Sequence, residues 1–162
     1  MMRRFEGKVV FLTGATTGIG EATAKRFAAE GAALYLVDVA EEELGQTKEA
    51  CRQLEAEVVS RLCDVSSELD VSKSIGEAVS RFGRIDIVAN IAGIQLWHHT
   101  TEHPIEDFER TLAVNLTGTF LVCRDSIPFL LESKGSIVNV SSTTALAGIP
   151  YSVAYAASKA GV

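Results

Sequence analysis

The stretch Thr13-Gly-Ala-Thr-Thr-Gly-Ile-Gly20 separates an apolar run of β-type residues, 8–12, from an alanine-rich segment, 21–30, that is typical of a helix. Glycine has no Cβ, so a glycine-rich turn can adopt positive φ angles and let a ligand approach its backbone. The helix that follows presents unpaired N–H groups and the positive end of its dipole. Strand, turn and helix together predict a binding site for the phosphates of a nucleotide. A purely structural turn is the alternative.

The glycine spacing, Gly-x3-Gly-x-Gly, differs from the general dinucleotide fingerprint, and no Gly-Lys-Ser/Thr follows that would make a P-loop. Asp38 ends a second apolar run, 34–37, about 20 residues further on, where a dinucleotide motif has an acidic residue for the ribose hydroxyls. A carboxylate there would repel a 2′-phosphate, and no lysine or arginine lies in the turn or directly after Asp38. The sequence therefore favours NAD over NADP. Asp38 could also serve as the N-cap of a helix that begins at Glu41.

Composition and charge exclude several classes of function. The 162 residues form at most one domain, and their 47% hydrophobic and 22% charged content is ordinary for a soluble globular protein. A net charge of −6 offers no basic face for nucleic acid and no polybasic anchor for a membrane. The sequence also has no run of ~20 apolar residues that could span a membrane. Three cysteines argue against a disulfide framework and fit the cytoplasm. His98, His99 and His103 have no metal-like partners, so we predict no metal site.

Apolar runs and helical segments alternate along the chain. Strands are predicted at 8–13, 33–39, 58–63, 85–90 and 136–141. Helices are predicted at 18–30, at 41–54, from 66 or 67 to 82, from about 104 to 132 with an interruption allowed at Gly118, and from about 153. This alternation predicts an α/β fold, a Rossmann-type doubly wound parallel sheet with strand order 3-2-1-4-5. A ligand would bind at the carboxyl ends of the strands, which hold Gly14, Asp38, Asp64, Asn90 and Ser142.

A second constellation lies near the end of the sequence. Tyr155 and Lys159 are four residues apart and share one face of the last predicted helix. An ammonium beside a phenol favours the phenolate, which makes the tyrosine a usable acid or base. Ser142 ends the fifth predicted strand, where its hydroxyl can meet the same substrate oxygen. Taken alone, the Tyr-Lys pair is a weak signal, because such pairs are more often ordinary surface pairs on helices.

Together these motifs resemble those of the short-chain dehydrogenase/reductase family, in the family's order and spacing and over the whole chain. The motifs are the glycine turn at 13–20, Asp64-Val65, Asn90-Ile91-Ala92-Gly93, Asn115, Ser142 and Tyr155-x3-Lys159. One mild departure is Ile91, which stands where the family usually has a second asparagine.

The resemblance implies catalytic roles for Asn115, Ser142, Tyr155 and Lys159. Tyr155 would be the general acid/base while hydride moves between the substrate carbon and the nicotinamide. Lys159 would bind the nicotinamide ribose and favour the Tyr155 phenolate, and Ser142 would hydrogen-bond the reacting oxygen. Asn115 would hold a water that links Lys159 to solvent, or would bond main-chain groups inside the long helix, and the two roles are compatible.

The resemblance also implies a set of cofactor-binding residues. Asp64 would contact the adenine amino group with the Val65 backbone beside it, and Asn90, Ala92 and Gly93 would line the adenosine and ribose side of the cleft. The complete set is Gly14, Thr17, Gly18, Ile19, Gly20, Asp38, Asp64, Val65, Asn90, Ala92, Gly93, Tyr155 and Lys159.

The favoured function is therefore that of an NAD-dependent oxidoreductase acting on a small secondary alcohol or its ketone. Chains of this family continue beyond the Tyr-Lys helix, so we expect residues 1–162 to be a single but C-terminally incomplete dinucleotide-binding domain, without the sixth and seventh strands and with strand 5 as an exposed edge. The alternative is a truncated dinucleotide-binding module without turnover. A sugar-nucleotide epimerase fits less well, because those enzymes usually have Gly-x-x-Gly-x-x-Gly in the first turn. The resemblance further implies a homo-oligomer, either a tetramer or a dimer.

Overall fold

The computed structural model describes residues 3–162. Its strands are β1 (Val9–Thr13), β2 (Ala33–Asp38), β3 (Val58–Leu62), β4 (Ile87–Asn90) and β5 (Ser136–Asn139). Its α-helices are α1 (Gly18–Ala29), α2 (Glu41–Arg52), α3 (Glu68–Phe82), α4 (Ile105–Leu112), α5 (Gly118–Ser133) and α6 (Val153–Gly161). A π-helical turn, Ala113–Thr117, joins α4 to α5, and short 3₁₀ turns lie at Thr100–Glu102 and Thr143–Ala145.

The strands form one parallel sheet in the order β3-β2-β1-β4-β5, which confirms the predicted strand order. Every residue of β1 is buried, as expected for the central strand of a sheet covered on both faces. Phe11 at its middle pairs with Tyr35 of β2 and with Val88 of β4. The strand order reverses between β1 and β4, and the carboxyl ends of these two strands open the crevice in which such folds bind ligands.

Successive residues of β1 point to opposite faces of the sheet and build two cores. Phe11 and Tyr35 belong to the core on the side of α3 and α5, where their rings stack with centroids 5.5 Å apart. Val10 and Leu34 belong to the core on the side of α1 and α2. Helices therefore cover both faces of the sheet, which confirms the doubly wound α/β prediction.

Strand β5 lies at the edge of the sheet, as expected, and Val138 on it is 54% exposed. The neighbouring helix α5 also exposes apolar side chains, namely Phe120, Ile127 and Leu131. Among residues 3–162, no helix is both long enough and apolar enough to cross a bilayer.

The structure corrects several predicted boundaries. Strand β5 ends at Asn139 and not at 141, although the Val140 N–H still donates to the Asn90 carbonyl at 3.0 Å. Strand β4 begins at Ile87 and not at 85, although the Asp86 N–H still donates to the Val9 carbonyl at 2.9 Å. The break in the long helix is the π turn that precedes Gly118, and the helix continues through it.

Candidate functional site

The glycine turn packs backbone against backbone. Gly14 has a φ of +70°, and a Cβ on it would lie 2.6 Å from the Ala92 nitrogen. A Cβ on Gly20 would lie 1.7 Å from the Gly14 carbonyl oxygen. The Thr13 hydroxyl accepts hydrogen bonds of 3.1 Å from the N–H groups of Ile91 and Ala92, which fixes the loop after β4 against the turn. A side chain at Gly14 would therefore force the turn and the loop after β4 apart, and one at Gly20 would push the first turn of α1 away from Gly14.

Gly18 begins helix α1 with a φ of +52°, and a Cβ there would have no neighbour within 4 Å. This position borders open space, in contrast to the packed glycines at 14 and 20. Thr17 is the N-cap residue of α1, and its side chain makes no capping hydrogen bond. Ile19 in the first turn is 64% exposed. The first turn of α1 thus offers N–H groups, a threonine side chain and an apolar surface to a ligand.

A cleft of about 360 Å³ opens at this end of the sheet. Of the sequence-predicted cofactor residues, it is lined by Gly14, Thr17, Gly18, Ile19, Gly20, Asp38, Asp64, Val65, Ala92 and Gly93. The residues that sequence reasoning did not assign to it are Thr16, Val37, Val39, Cys63, Ile91, Ile94, Arg110 and Val114. Most of the second group are immediate neighbours of predicted residues at strand ends, so position along the strands could have identified them, whereas Arg110 and Val114 come from α4 and the π turn.

The Asp38 carboxylate is held in place at the edge of the cleft. One oxygen accepts hydrogen bonds from the Thr16 N–H at 3.2 Å and the Thr16 hydroxyl at 2.9 Å. The other accepts from the N–H groups of Val39 at 2.7 Å and Ala40 at 3.3 Å. The N-cap residue of α2 is Ala40, not Asp38. Asp38 therefore ties the end of β2 to the glycine turn and turns its charge towards the cleft edge.

Asp64 lies at the end of β3 in a small polar network. Its Oδ1 accepts hydrogen bonds from the Ser66 hydroxyl at 2.6 Å and the Ser66 N–H at 2.9 Å, and its Oδ2 accepts one from Arg110 Nη2 at 2.9 Å. Burial opposes ionisation of this carboxyl, but the hydrogen bonds from Ser66 and Arg110 outweigh it and lower the pKa of Asp64. Asp64 is therefore an ionised hydrogen-bond acceptor in the cleft wall.

Asn90 is placed differently from the expectation, which put it in the wall of the cleft. The residue is buried, and its amide donates to the Asn139 side-chain oxygen at 2.9 Å and to Cys123 Sγ at 3.4 Å. Asn90 thus links β4 to β5 beneath the strand ends, and Ala92 and Gly93 reach the cleft in its place. The side chain at the last residue of β4 points to one face of the sheet, so lying at a strand end did not guarantee contact with the cleft.

Asn115 lies in the π turn and is fully buried. Its Oδ1 accepts from the Ile94 N–H at 2.8 Å, and its Nδ2 donates to the Ile94 carbonyl and to Ser158 Oγ, each at 2.9 Å. The main-chain groups that it bonds belong to the loop after β4, not to its own helix as the alternative expected. Asn115 therefore joins that loop to helix α6.

Tyr155 and Lys159 lie one turn apart on α6, with Lys159 Nζ 5.8 Å from the centre of the tyrosine ring. The ammonium is buried, which lowers the pKa of Lys159, and it donates a hydrogen bond of 2.8 Å to the Val140 carbonyl. A Cβ on Gly93 would lie 3.5 Å from Lys159 Nζ and 3.3 Å from Asn115 Oδ1. Lys159 and Asn115 thus meet at the glycine that also lines the cleft.

Ser142 does not end a strand as expected, since β5 stops three residues earlier. It is the N-cap of the 3₁₀ turn Thr143–Ala145, and its Oγ accepts from the Thr144 N–H at 3.2 Å and shares a hydrogen bond with the Thr144 hydroxyl. The adjacent Ser141 hydroxyl donates to the Lys159 carbonyl at 2.7 Å. Ser142 is therefore positioned by its own turn, beside the helix that carries Tyr155 and Lys159.

The loop after Gly93 is tied to the segment that precedes α6. The His98 N–H donates to the Tyr151 carbonyl at 3.1 Å, and the His99 ring meets the Tyr151 ring edge-on with centroids 4.6 Å apart. His98 Nε2 lies 2.8 Å from an oxygen of Asp107 on α4. In residues 3–162, no group of three or more histidine, cysteine or acidic side chains is arranged to hold a metal ion.

Comparison with known proteins identifies the relatives of this arrangement. Levodione reductase of Leifsonia aquatica is 40% identical over 163 residues, which cover 98% of this chain and 61% of that protein. Meso-2,3-butanediol dehydrogenase of Serratia marcescens is 37% identical over 159 residues, which cover 98% of this chain and 62% of that protein. A crystal structure of NAD⁺-bound xylitol dehydrogenase matches with a TM-score of 0.94 at 37% identity, covering 98% of this chain and 62% of that one.

The chain thus spans about three fifths of the length of these curated relatives. The family model described as short chain dehydrogenase matches residues 8–162, from the first strand to the helix with Tyr155 and Lys159. The sheet order 3-2-1-4-5 and the glycine turn at its switch point agree with this match. The chain therefore belongs to the short-chain dehydrogenase family.

Proposed function

We propose that the chain forms the dinucleotide-binding and acid/base part of an NAD-dependent oxidoreductase acting on a small secondary alcohol or its ketone. The observation that carries this proposal is the meeting of Lys159 and Asn115 at Gly93, one end of a cleft that also contains the glycine turn and Asp38. The cleft fits a dinucleotide, because Gly18 at the start of α1 borders open space and the N–H groups of that first turn can receive a phosphate. A bound nicotinamide would supply or accept the hydride.

Asp38 would select NAD. Its carboxylate is oriented by four hydrogen-bond donors from Thr16, Val39 and Ala40 and lines the cleft. A ribose hydroxyl would replace the longest of these bonds, the one of 3.3 Å from the Ala40 N–H, and the carboxylate would repel a 2′-phosphate. Arg110, the cation that lines the cleft among residues 3–162, is paired with Asp64 and is therefore engaged elsewhere.

The acid/base chemistry would belong to α6 and the turn beside it. Tyr155 would give a proton to the substrate oxygen or take one from it, and the nearby Lys159 ammonium would favour the phenolate and bind the ribose hydroxyls. The Ser142 hydroxyl, held by Thr144, would hydrogen-bond the reacting oxygen as charge develops on it. Asn115 would hold the loop after β4 against α6 and carry a water of the proton relay.

The substrate class and the partners follow from the same proposal. Relatives named for butanediol, xylitol and levodione support a small compound that carries a hydroxyl or carbonyl group.

We further propose that residues 1–162 act as one dinucleotide-binding domain of a cytoplasmic homo-oligomer, a dimer or a tetramer. The three free cysteines fit a reducing compartment, and the exposed Phe120, Ile127 and Leu131 on α5 offer an apolar face for a second subunit.

Turnover tests the proposal against a dinucleotide-binding module without chemistry. The chain is mixed with NAD and a panel of small diols and secondary alcohols, and NADH formation is followed by its absorbance. Formation that disappears in Tyr155→Phe, while calorimetry shows that this variant still binds NADH, supports the oxidoreductase. NADH binding without turnover on any substrate favours the binding module. A folded chain that binds no dinucleotide contradicts both.

A further inference from the structure

Arg110 lines the cleft, and the acid/base chemistry leaves it without a role. It lies in the last turn of α4, and its guanidinium reaches across to the loop after β3. Nη2 donates to Asp64 Oδ2 at 2.9 Å, and Nη1 donates to Ser66 Oγ at 2.7 Å. The Ser66 hydroxyl in turn donates to Asp64 Oδ1 at 2.6 Å. The three side chains therefore form a closed ring of hydrogen bonds.

This ring leaves Asp64 with little spare capacity. An ionised carboxylate has about four acceptor positions and no donor. Three are filled by protein donors, namely the Ser66 N–H, the Ser66 hydroxyl and Arg110. The Asp64 side chain remains 34% exposed in the cleft wall, so about one acceptor position is left for a ligand. That position suits an N–H donor and repels a carbonyl oxygen.

We infer that Arg110 is a positioning residue that, with Ser66, orients Asp64 to select the exocyclic amine of adenine over a carbonyl at the same place. This inference rests on the proposed function, since it takes the ligand of the cleft to be an adenine dinucleotide. Arg110 acts through Asp64 and not through the reacting atoms. The guanidinium is suited to this task because its rigid fork spans two acceptors at once, which the single ammonium of a lysine does not reproduce.

A merely structural role for Arg110 makes a different prediction, and the chain offers a matched control for it. Arg124 on α5 likewise reaches a neighbouring element, through Nη1 to Glu68 Oε1 at 2.9 Å at the start of α3, and it also donates to the adjacent Asp125 at 2.7 Å. The two arginines are similarly exposed, 47% for Arg110 and 40% for Arg124, but Arg124 lies outside the residues that line the cleft. Substitution of Arg124 therefore removes a comparable ion pair between two elements and leaves the hydrogen bonds of Asp64 unchanged.

The test compares two ligands by calorimetry: NADH and the reduced hypoxanthine analogue, in which a carbonyl replaces the adenine amine. The chain is measured unchanged and as Arg110→Gln, Arg110→Lys and Arg124→Gln, with circular dichroism and thermal unfolding on each. We expect the unchanged chain to prefer NADH by roughly tenfold or more, the scale of one hydrogen bond to a charged group. Arg110→Gln should lose most of this preference through weaker NADH binding, Arg110→Lys should be intermediate, and Arg124→Gln should keep the preference.

Two results overturn the inference while leaving the proposed function intact. One is that the unchanged chain binds both ligands equally. The other is that a folded Arg110→Gln keeps the full preference for NADH. Failure of the folded, unchanged chain to bind either ligand contradicts the proposed function itself, and the inference falls with it.

Discussion

The buried Lys159 ammonium donates a hydrogen bond of 2.8 Å to the Val140 carbonyl, just beyond the end of the edge strand β5. This bond fixes helix α6 to the sheet at the point where the loop after β4 also arrives. Gly93 in that loop leaves the ammonium room, since a Cβ there would lie 3.5 Å from Nζ. A charge is thus held at the end of the cleft at the expense of its own hydration.

Replacement of Lys159 by methionine should separate stability from binding. The variant loses the bond to Val140 but also relieves the burial of an ammonium, so we expect the free energy of unfolding to change by less than about 1 kcal/mol. NADH affinity should fall by roughly tenfold or more, because a charged hydrogen-bond donor to the ribose is gone. Chemical denaturation and calorimetry measure the two quantities. A large loss of stability with unchanged affinity would give Lys159 a purely structural role.

The same pair of proteins tests the charge state of Lys159. Burial lowers the pKa of the lysine in the folded chain, so in the window below the ordinary value of about 10.4 the unfolded chain binds more protons than the folded one. Stability of the unchanged chain relative to Lys159→Met should therefore rise as pH increases towards that value. Urea unfolding from pH 7 to 10 measures the difference. A flat or falling difference would contradict the lowered pKa.

The glycine turn predicts a contrast between two substitutions by alanine. A Cβ on Gly20 meets the Gly14 carbonyl oxygen at 1.7 Å, so Gly20→Ala should distort the turn and abolish NADH binding. Gly45 is an exposed residue inside α2 with nothing within 4 Å of an added Cβ. Gly45→Ala should raise the free energy of unfolding by about 0.5–1 kcal/mol and leave binding unchanged. Full NADH affinity in Gly20→Ala would show that the turn does not contact the ligand.

Removal of the Asp38 charge should change the choice of cofactor. Asp38→Asn keeps the size of the side chain but removes the repulsion of a 2′-phosphate, so NADPH affinity should rise while NADH affinity falls. Thr16→Val is the matched control, because it removes one donor to Asp38 at 2.9 Å and keeps the charge. Its effect should be smaller and should leave NADH preferred. Equal binding of NADH and NADPH by the unchanged chain would contradict a selective role for Asp38.

Glu30 sets an acid limit on stability, far from the cleft. Hydrogen bonding from Arg4 is the largest cause that lowers its pKa, and with help from Arg26 the pKa falls to about 2. Because the pKa of Glu30 is lowered on folding, its ionised carboxylate stabilises the folded chain fully at pH values above the ordinary glutamate pKa near 4.5. This stabilisation is lost as the pH falls towards 2. The stability difference between the unchanged chain and Glu30→Gln should therefore shrink across this window. A difference that is equal at pH 7 and pH 2.5 would contradict this account.

Sequence reasoning reached the sheet order because the periodicity of strands and helices is a local pattern. Much of the cleft lining was instead implied by the resemblance of the motifs to those of the family. Sequence reasoning put Ser142 at the end of a strand that stops at Asn139, and it put the Asn90 side chain in the cleft wall. Which way a side chain points at or beyond a strand end depends on sheet register and on the turn that follows. It also missed Thr16 and Arg110. Their roles arise from pairing with Asp38 and Asp64, 22 and 46 residues away, and such long-range pairs leave no local signal in one sequence.

Calorimetric titration of the chain with NADH and then with NADPH tests the central claim most directly. The glycine turn and the Asp38 carboxylate in the cleft predict that NADH binds. They also predict that NADPH binds at least roughly tenfold more weakly, because one unfavourable charge contact changes affinity on that scale. A circular dichroism spectrum of the same sample establishes that the chain is folded. Binding of neither nucleotide by the folded chain, or tighter binding of NADPH, would contradict the claim.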